Sequence, residues 1–456
     1  MENQNPNDQQ SMMVQQFPNN TSPRASEHDG LPLVNNSDSN DSISSGSDVS
    51  GAVFNLSTTI IGAGIMALPA TMRVLGLLIG FIAIVVMGFV SEISVELLVR
   101  FSVLTKSKSY GEVVHSALGD TARIISEICI IINNAGVLVV YLIIIGDVMS
   151  GNDAHVGIFF QWFGHTVLDN RALVIFIILV FFLAPLCSFQ RIESLETTSA
   201  AAVALAILFV FISCLITFIK IINGTVRTPR MGPDFTSAQT FTDLLVVIPI
   251  MSNAYVCHFN IQPIYNDLRD RSIEKMNRVG RITTVLCVVI FALTALSGYL
   301  LFGDNTEADV LTNFDRDLGI RFSTALNYII RIGYILHLMP VFAIIHFSLR
   351  QAVGALIFKE SILQGRKKVW GITAVQLIIL YIGAAAIPNI WVAFKFTGAT
   401  TALALGFIFP SLIVLRLGTK GTTLTNTERI IAWCMLVLAV IISILGLVGS
   451  VYSLRA

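Results

Sequence analysis

Asn55-Leu-Ser-Thr-Thr-Ile-Ile-Gly62-Ala-Gly64-Ile-Met-Ala-Leu-Pro69 is the stretch that decides the fold. It lies in the first long apolar segment of the chain, yet two glycines one residue apart weaken its helix, and Pro69 lacks a backbone donor. Non-helical backbone inside a bilayer is tolerated only where protein or a wet cavity satisfies it. The stretch therefore predicts a transmembrane helix that is interrupted at membrane depth.

Apolar segments of membrane-spanning length follow one another through the rest of the chain. A span needs about 20 apolar residues, because the hydrocarbon core is about 30 Å thick. We therefore expect an all-α integral membrane protein with eleven transmembrane helices. The predicted spans are 50–72, 75–98, 122–148, 171–189, 199–222, 241–263, 279–302, 323–347, 369–387, 391–415 and 429–452.

The composition agrees with a surface that faces lipid. Hydrophobic residues make up 54% of the chain and charged residues only 13%, whereas a soluble domain has about 25% charged residues. The formal net charge is zero, so nothing indicates nucleic acid as a partner. The six cysteines form no CxxC pair, and no P-loop or HExxH motif occurs. We expect the lipid bilayer as the surroundings, with no metal site, no cofactor and no ATP-driven mechanism.

The first 48 residues differ from the rest. Residues 1–48 are rich in Asn, Ser and Asp and poor in apolar side chains, which predicts a disordered tail. When this tail is placed in the cytosol and the spans alternate, most Lys and Arg residues fall on the cytosolic side, as the positive-inside rule requires. The predicted units are this tail, a first transmembrane repeat at 49–222, a lumenal loop at 223–240, a second repeat at 241–418, and a last helix with the C-terminus at 419–456.

A second interrupted span lies five spans after the first. It contains Pro249, Pro263 and the polar run SNAYVCHFNIQ at 252–262. Interruptions at corresponding positions of two halves point to a transporter's binding site, here in the first helix of each half of a five-plus-five inverted repeat. Free N–H groups at a half-helix N-terminus attract a carboxylate, and free C=O groups at a C-terminus attract an ammonium group or a small cation. The pattern suits a zwitterion, although close helix packing is another reason for glycines in a span.

Four segments resemble the amino acid/auxin permease family. They are FNLSTTIIGAGIMALP at 54–69, NAYVCHFNIQPIYNDL at 253–268, GYLLFG at 298–303 and RIGYILHLM at 331–339. The last of them is similar to the plant vacuolar-type branch, whose relatives are the animal sodium-coupled neutral amino acid transporters. The resemblance implies a LeuT-like fold of ten core helices plus one, and transport of amino acids driven by a proton or sodium gradient. It also favours the vacuolar membrane, with the plasma membrane as the alternative.

The resemblance also implies which residues form the site, and Asn134 of the third span is added because a polar side chain there can line the same cavity. The predicted substrate-binding residues are Thr58, Thr59, Gly62, Ala63, Gly64, Ile65, Asn253, Tyr255, His258 and Asn134. The coupling-ion candidates are Asn55, Thr58, His258 and His337. Relatives that use sodium carry an Asn where this chain has Thr58. This favours a proton, because His258 and His337 can titrate near neutral pH.

Several alternatives stay open. His258 can bind a proton or substrate, or it can hydrogen-bond the interrupted backbone. Arg331 can serve function inside the eighth span, or extend its charge toward the membrane surface. Tyr141, two turns after Asn134, can gate the cavity or simply pack. The same fold can also act as an amino acid sensor that signals through the tail, whereas a channel is disfavoured because no carbonyl-rich filter repeat is present.

Overall fold

The computed structural model describes residues 46–152, 154–188, 196–236, 238–358, 365–418 and 424–453. Within these ranges the chain is helical and forms no strand. Two isolated β-bridges pair Ser47 with Leu268 and Gly151 with Val156. The prediction of an all-α protein is confirmed for this part of the chain.

The longer helical segments are numbered in chain order. They are α1 (Val49–Ile60), α2 (Gly64–Leu75), α3 (Leu77–Leu104), α4 (Tyr110–Leu118), α5 (Asp120–Ser150), α6 (Ile158–Phe163), α7 (Arg171–Cys187), α8 (Glu196–Ile222), α9 (Ala238–Tyr255), α10 (Ile261–Asp267), α11 (Ile273–Phe302), α12 (Ser323–Ile357), α13 (Arg366–Ala386), α14 (Ile390–Leu417) and α15 (Asn426–Tyr452).

The helices account for ten of the eleven predicted spans. In the described part of the chain, nine helical segments are long and apolar enough to cross a membrane, and α1 with α2 adds a tenth span that is bent by 56°. The remaining predicted span, 171–189, corresponds to α7. At about 1.5 Å per residue α7 reaches about 26 Å, short of the hydrocarbon core of about 30 Å. The count of eleven therefore stays a prediction.

The two interrupted spans lie at the centre of the bundle. In the span from Thr240 to Asp267, 83% of the most apolar window is buried, against 22% for α15. Almost every residue of α1 and α2 is buried as well. The exposed side chains of α15, such as Ile430 and Ile444, are large and apolar. The polar interruptions are thus shielded from lipid, while α15 presents an apolar surface at the periphery.

The start of the transmembrane unit is held beside the end of α10. The predicted tail falls outside the described residues up to position 45, so its disorder stays a prediction. The Ser47 N–H donates to the Asp267 carbonyl over 2.8 Å. Asp48 caps α1, because its Oδ1 accepts from the Gly51 N–H at 2.8 Å. This hydrogen bond holds the pKa of Asp48 below its usual range.

Candidate functional site

The first span breaks where its two glycines lie. α1 ends at Ile60 and α2 begins at Gly64, which leaves Ile61, Gly62 and Ala63 between the two helices. The first N–H groups of a helix have no i−4 carbonyl within that helix. In α2 the Ile65 and Met66 N–H groups donate instead to the Gly62 and Ala63 carbonyls, at 3.2 and 3.1 Å. The positive end of the α2 dipole still points at the gap. Pro69 lies inside α2 rather than at the break. The glycines, not the proline, mark the interruption.

Both glycines are required by close neighbours. A Cβ atom on Gly62 would lie 1.9 Å from the Tyr141 hydroxyl oxygen, and one on Gly64 would lie 2.8 Å from the Ala254 Cα atom. Neither distance leaves room for a side chain while the neighbours stay in place. Gly64 therefore lets the first span approach the sixth, and Gly62 lets Tyr141 reach the break. Close packing and the candidate site coincide at these two residues.

The sixth span is interrupted after Tyr255. α9 ends there, a 3₁₀ turn covers His258–Asn260, and α10 begins at Ile261. The Asn260 side-chain amide donates to the Thr59 hydroxyl oxygen at 3.0 Å. This buried hydrogen bond ties the second interruption to the first.

A small cavity lies between the two interruptions. Its volume is about 20 Å³, which is room for about one water molecule. The predicted substrate-binding residues in its lining are Thr59, Gly62, Ala63, Gly64, Asn134 and Asn253. The lining also includes Phe259, Ile345 and Phe394. These three residues could not be predicted from the sequence, because an apolar side chain within a span carries no distinguishing signal.

Asn253 presents an unpaired acceptor beside the cavity. Thr397 donates its hydroxyl proton to the Ala393 carbonyl at 2.9 Å, so its oxygen must accept from the Asn253 Nδ2 atom at 2.8 Å. This orients the amide and leaves Asn253 Oδ1 without a hydrogen-bond partner among the described residues. Asn134 Nδ2 also lacks a partner there. Buried polar atoms are rarely left unpaired, so a free acceptor and a free donor at one cavity indicate a ligand site.

Four residues predicted to bind substrate lie outside the lining of the cavity: Thr58, Ile65, Tyr255 and His258. The Tyr255 hydroxyl donates to the Ile84 carbonyl at 3.0 Å, which directs it toward α3. The Thr58 hydroxyl bonds backbone carbonyls of α1 and α8 at 2.8 and 3.2 Å. Ile65 is fully buried in α2. The structure thus separates these side chains from the six that line the cavity.

His258 is buried against α14. Its ring centroid lies 6.2 Å from that of Phe407, in an edge-to-face arrangement. Neither ring nitrogen has a hydrogen-bond partner among the described residues. A bond from this ring to the interrupted backbone is therefore not seen in that part of the chain. His258 keeps a nitrogen free to accept a proton beside the second interruption.

His337 and Thr58 both contact α8 near the first break. His337 Nδ1 lies 2.7 Å from the Ala202 carbonyl, and because a carbonyl only accepts, Nδ1 carries the proton. His337 Nε2 has no hydrogen-bond partner among the described residues, so it is free to accept a second proton. The Ile61 carbonyl at the break also interacts with this ring. Asn55, one turn before Thr58, has an unpaired Oδ1.

Fold and site together define a multi-pass helical membrane protein with a small cavity between two interrupted spans. A sequence profile of the family described as transmembrane amino acid transporter protein matches residues 45–455. Amino acid transporter AVT6E of Arabidopsis thaliana is 62% identical over 427 residues, which cover 93% of this chain and 86% of that protein. Amino acid transporter AVT6A of Arabidopsis thaliana is 44% identical over 415 residues, with 90% and 89% covered.

The chain belongs to the transmembrane amino acid transporter family. The resemblance seen in its sequence is thereby confirmed, and membership supports amino acid transport by a multi-pass membrane protein. A solved manganese transporter of Eremococcus coleocola, in complex with an aromatic bis-isothiourea substituted compound, matches with a TM-score of 0.57 and 13% identity, covering 88% of this chain and 86% of that one. At this identity the likeness concerns the fold alone. It confirms the expected class, an all-α membrane protein with a LeuT-like fold.

Proposed function

We propose that the protein is a secondary active transporter that carries amino acids across a membrane by alternating access, with the substrate bound between the interruptions of the first and sixth spans. The observation that carries this proposal is the cavity at that place. It combines the N-terminus of α2 with the unpaired Oδ1 of Asn253. An amino acid offers the complementary pair, a carboxylate and an ammonium group on one carbon atom.

The two charged ends of the substrate find different partners. Gly62, Ala63 and Gly64 line the cavity at the start of α2, where the positive end of the helix dipole favours a carboxylate. The ammonium group fits Asn253 Oδ1 and the free carbonyl groups at the C-terminal end of α1. Asn134 Nδ2 is a further donor for the carboxylate. A hydrogen bond to a charged group is worth about 1.5–3 kcal/mol, so these few contacts suffice for binding.

The closed cavity makes a conformational change necessary. A volume of about 20 Å³ holds a single water and no amino acid. The Tyr141 hydroxyl lies against Gly62, so it has to move before a ligand can reach the break. We assign the larger movement to two inverted repeats, 49–222 and 241–418, with the helix at 419–456 outside them. Their relative rotation would open the site to one side of the membrane at a time.

We assign the coupling role to a proton, with His337 as its carrier. The free Nε2 atom can accept a proton, and the Ala202 and Ile61 carbonyls then face a positively charged ring. Ile61 belongs to the first break, so charging His337 acts on the backbone that also binds the substrate. His258, with two unpaired ring nitrogens, is the second candidate.

We further assign the protein to the vacuolar membrane with its N-terminus in the cytosol, and keep the plasma membrane as the alternative. The distribution of Lys and Arg along the sequence supports the orientation. The similarity at 331–339 to the plant vacuolar-type branch supports the membrane. A fluorescent fusion imaged with markers of both membranes tests the location, and protease protection of a tag at the N-terminus tests the orientation.

Uptake into liposomes tests the function. Purified protein is reconstituted, and a panel of radiolabelled amino acids is offered with a proton gradient, a sodium gradient or neither. We expect uptake when the proton gradient is imposed, and no uptake with the sodium gradient or without a gradient. In His337→Gln, gradient-driven uptake should fall to background while exchange of external for internal amino acid persists, because exchange needs no net proton movement. His346→Gln is the matched control, since His346 is an equally buried histidine of α12.

The other outcomes are equally informative. Uptake that needs sodium and not protons would retain the substrate class and move the coupling site to Thr58 and Asn55. Measurable amino acid binding without uptake under any gradient would favour the sensor. Loss of exchange in His337→Gln would assign His337 to binding or folding instead of coupling.

A further inference from the structure

The segment 303–322 between α11 and α12 closes over the end of the first span. The Val310 N–H donates to the Met66 carbonyl of α2 at 3.2 Å. Arg73, in the last turn of α2, donates to the Thr306 carbonyl at 2.8 Å. Under the proposed orientation these contacts lie on the lumenal side. The segment must leave α2 whenever the site opens to that side.

Asp309 belongs to this segment, and its side chain is buried. Its Oδ1 accepts from the Leu311 N–H at 3.0 Å, and its Oδ2 has no hydrogen-bond partner among the described residues. The charges of Asp147 and Arg331 act on it. Arg331 donates hydrogen bonds to backbone carbonyls near the end of α5. The Asp147 Oδ1 atom lies 2.8 Å from the Arg171 Nε atom. Asp309 thus faces the Asp147 carboxylate and the Arg331 guanidinium group, which hydrogen-bonds backbone carbonyls instead of Asp309.

Other titratable groups surround this position. Asp315 lies on the segment itself, and His155 lies on the loop after α5 that packs against it. The Asp315 Oδ2 atom is 3.1 Å from the His155 Nδ1 atom. Glu307 of the same segment and Tyr334 of α12 also face Asp309 or its neighbours. Arg316 lies 3.6 Å from Asp315, and Tyr328 of α12 interacts with Arg331. None of these is an ion-pair partner of Asp309 within the described residues.

Burial decides the protonation of Asp309. It raises the pKa of this carboxyl group from 3.8 to about 8, and the neighbouring Asp147 carboxylate adds to the rise. The Leu311 N–H and Arg331 oppose the rise without cancelling it. At neutral pH the Asp309 carboxyl group is therefore protonated while the segment packs against α2, and it ionises once water reaches it.

We propose that Asp309 takes up a proton from the lumenal side each time the segment 303–322 closes over α2, and releases it when the segment opens. The proposal rests on the alternating-access function proposed above and adds a protonation step at the lumenal gate. Because the closed state favours the protonated form of Asp309, a lower pH shifts the equilibrium of the segment toward the closed state. Between pH 3.8 and about 8, the ratio of closed to open protein should change by up to tenfold per pH unit.

Cysteine labelling measures this closure directly. Val310 is 1% exposed, so Val310→Cys should react with a membrane-impermeant maleimide only when the segment opens. The rate in reconstituted protein is compared from pH 5 to pH 9, with the parent chain subtracted for its native cysteines. Adding D309N removes the titrating group, while the intrinsic reactivity of the thiol stays the same. D317N is the matched control, because Asp317 lies on the same segment and is exposed.

We expect the ratio of labelling rates, Val310→Cys over Val310→Cys with D309N, to rise with pH and level off near pH 8. D317N should leave the rise unchanged. Identical pH profiles with and without D309N would overturn the proposal, and so would the absence of labelling at every pH. If D309N does not fold, D147N replaces it. Removal of that neighbouring negative charge should move the pH dependence of the Val310→Cys labelling rate to lower pH. An unchanged pH dependence would count against the proposal.

Uptake measured in the same liposomes separates this inference from the transport function. If amino acids are taken up but D309N does not change the pH profile of labelling, the protonation step is refuted and the transport function is retained. Labelling that depends on Asp309 without any uptake would retain the gate and refute transport.

Discussion

Gly62→Ala is the substitution with the sharpest expected effect. The new Cβ atom would lie 1.9 Å from the Tyr141 hydroxyl oxygen and 3.0 Å from its Cζ atom. No side chain tolerates the first distance, so Tyr141 or the break has to move. Overpacking of this kind costs about 1–3 kcal/mol. The equilibrium constant between the conformation seen here and the alternatives should therefore fall about fivefold to about 150-fold.

In the proposed alternating-access cycle every turnover passes through the conformation seen here, so the initial rate of amino acid uptake should fall by a similar factor. Liposome uptake measures this rate, and thermal unfolding shows whether the variant is folded. Gly333→Ala is the control within another span, because a Cβ atom at Gly333 meets no atom within 4 Å. Its uptake should equal that of the parent chain.

Tyr141→Phe checks the cause of the effect. It removes the oxygen at 1.9 Å and leaves a ring carbon at 3.0 Å, a contact that a small shift of the ring relieves. Gly62→Ala combined with Tyr141→Phe should regain most of the uptake that Gly62→Ala loses, measured against Tyr141→Phe alone. Parent-like uptake by Gly62→Ala would refute the reasoning, as would a double variant no better than Gly62→Ala.

Three further results are expected. Asn253→Leu removes the free acceptor beside the cavity, so amino acid binding should weaken about fivefold to 150-fold, from about 1–3 kcal/mol; an unchanged Kd in a scintillation-proximity assay would contradict this. Arg331→Gln should lower the unfolding temperature, because each lost bond to a charged donor costs about 1.5–3 kcal/mol; an unchanged melting curve would speak against it. Removing residues 1–45 should leave uptake unchanged, whereas removing 1–48 also deletes the Asp48 cap and should cost about 1 kcal/mol of stability, with equal melting curves as the contrary result.

The positions of the spans follow from the sequence because each span carries its signal in its own residues. A run of apolar side chains as long as Leu77–Leu104 has to be buried in lipid or protein wherever its neighbours lie. The interruption at Gly62 and Gly64 is equally local, since these glycines weaken the helix that contains them. α7 marks the limit of this reasoning. Its apolar composition predicts a span, and its described length of 17 residues leaves that span a prediction.

Contacts across the bundle could not be predicted in the same way. In a helix that is apolar on all sides, hydropathy does not indicate which side chain faces which neighbour. The sequence therefore could not predict that His258 packs against Phe407, or that Tyr255 points toward α3. For Arg331 the two explanations considered were function and extension toward the membrane surface. The structure shows a third role, in which a buried Arg331 bonds backbone carbonyls of α5 and the loop that follows it.

The proposed substrate site and the proposed lumenal gate share one side chain. The Tyr334 hydroxyl donates to the Gly62 carbonyl at 2.8 Å, and the same tyrosine lies close enough to Asp309 to sense its charge. A ligand shifts a conformational equilibrium only as far as it binds the two states differently, and the coupling between two ligands is reciprocal. If amino acid binding and protonation of Asp309 both favour closure, then bound amino acid must raise the proton affinity of Asp309. Saturating substrate should therefore move the pH profile of Val310→Cys labelling to higher pH, and a profile that does not move would mean that the gate and the site act independently.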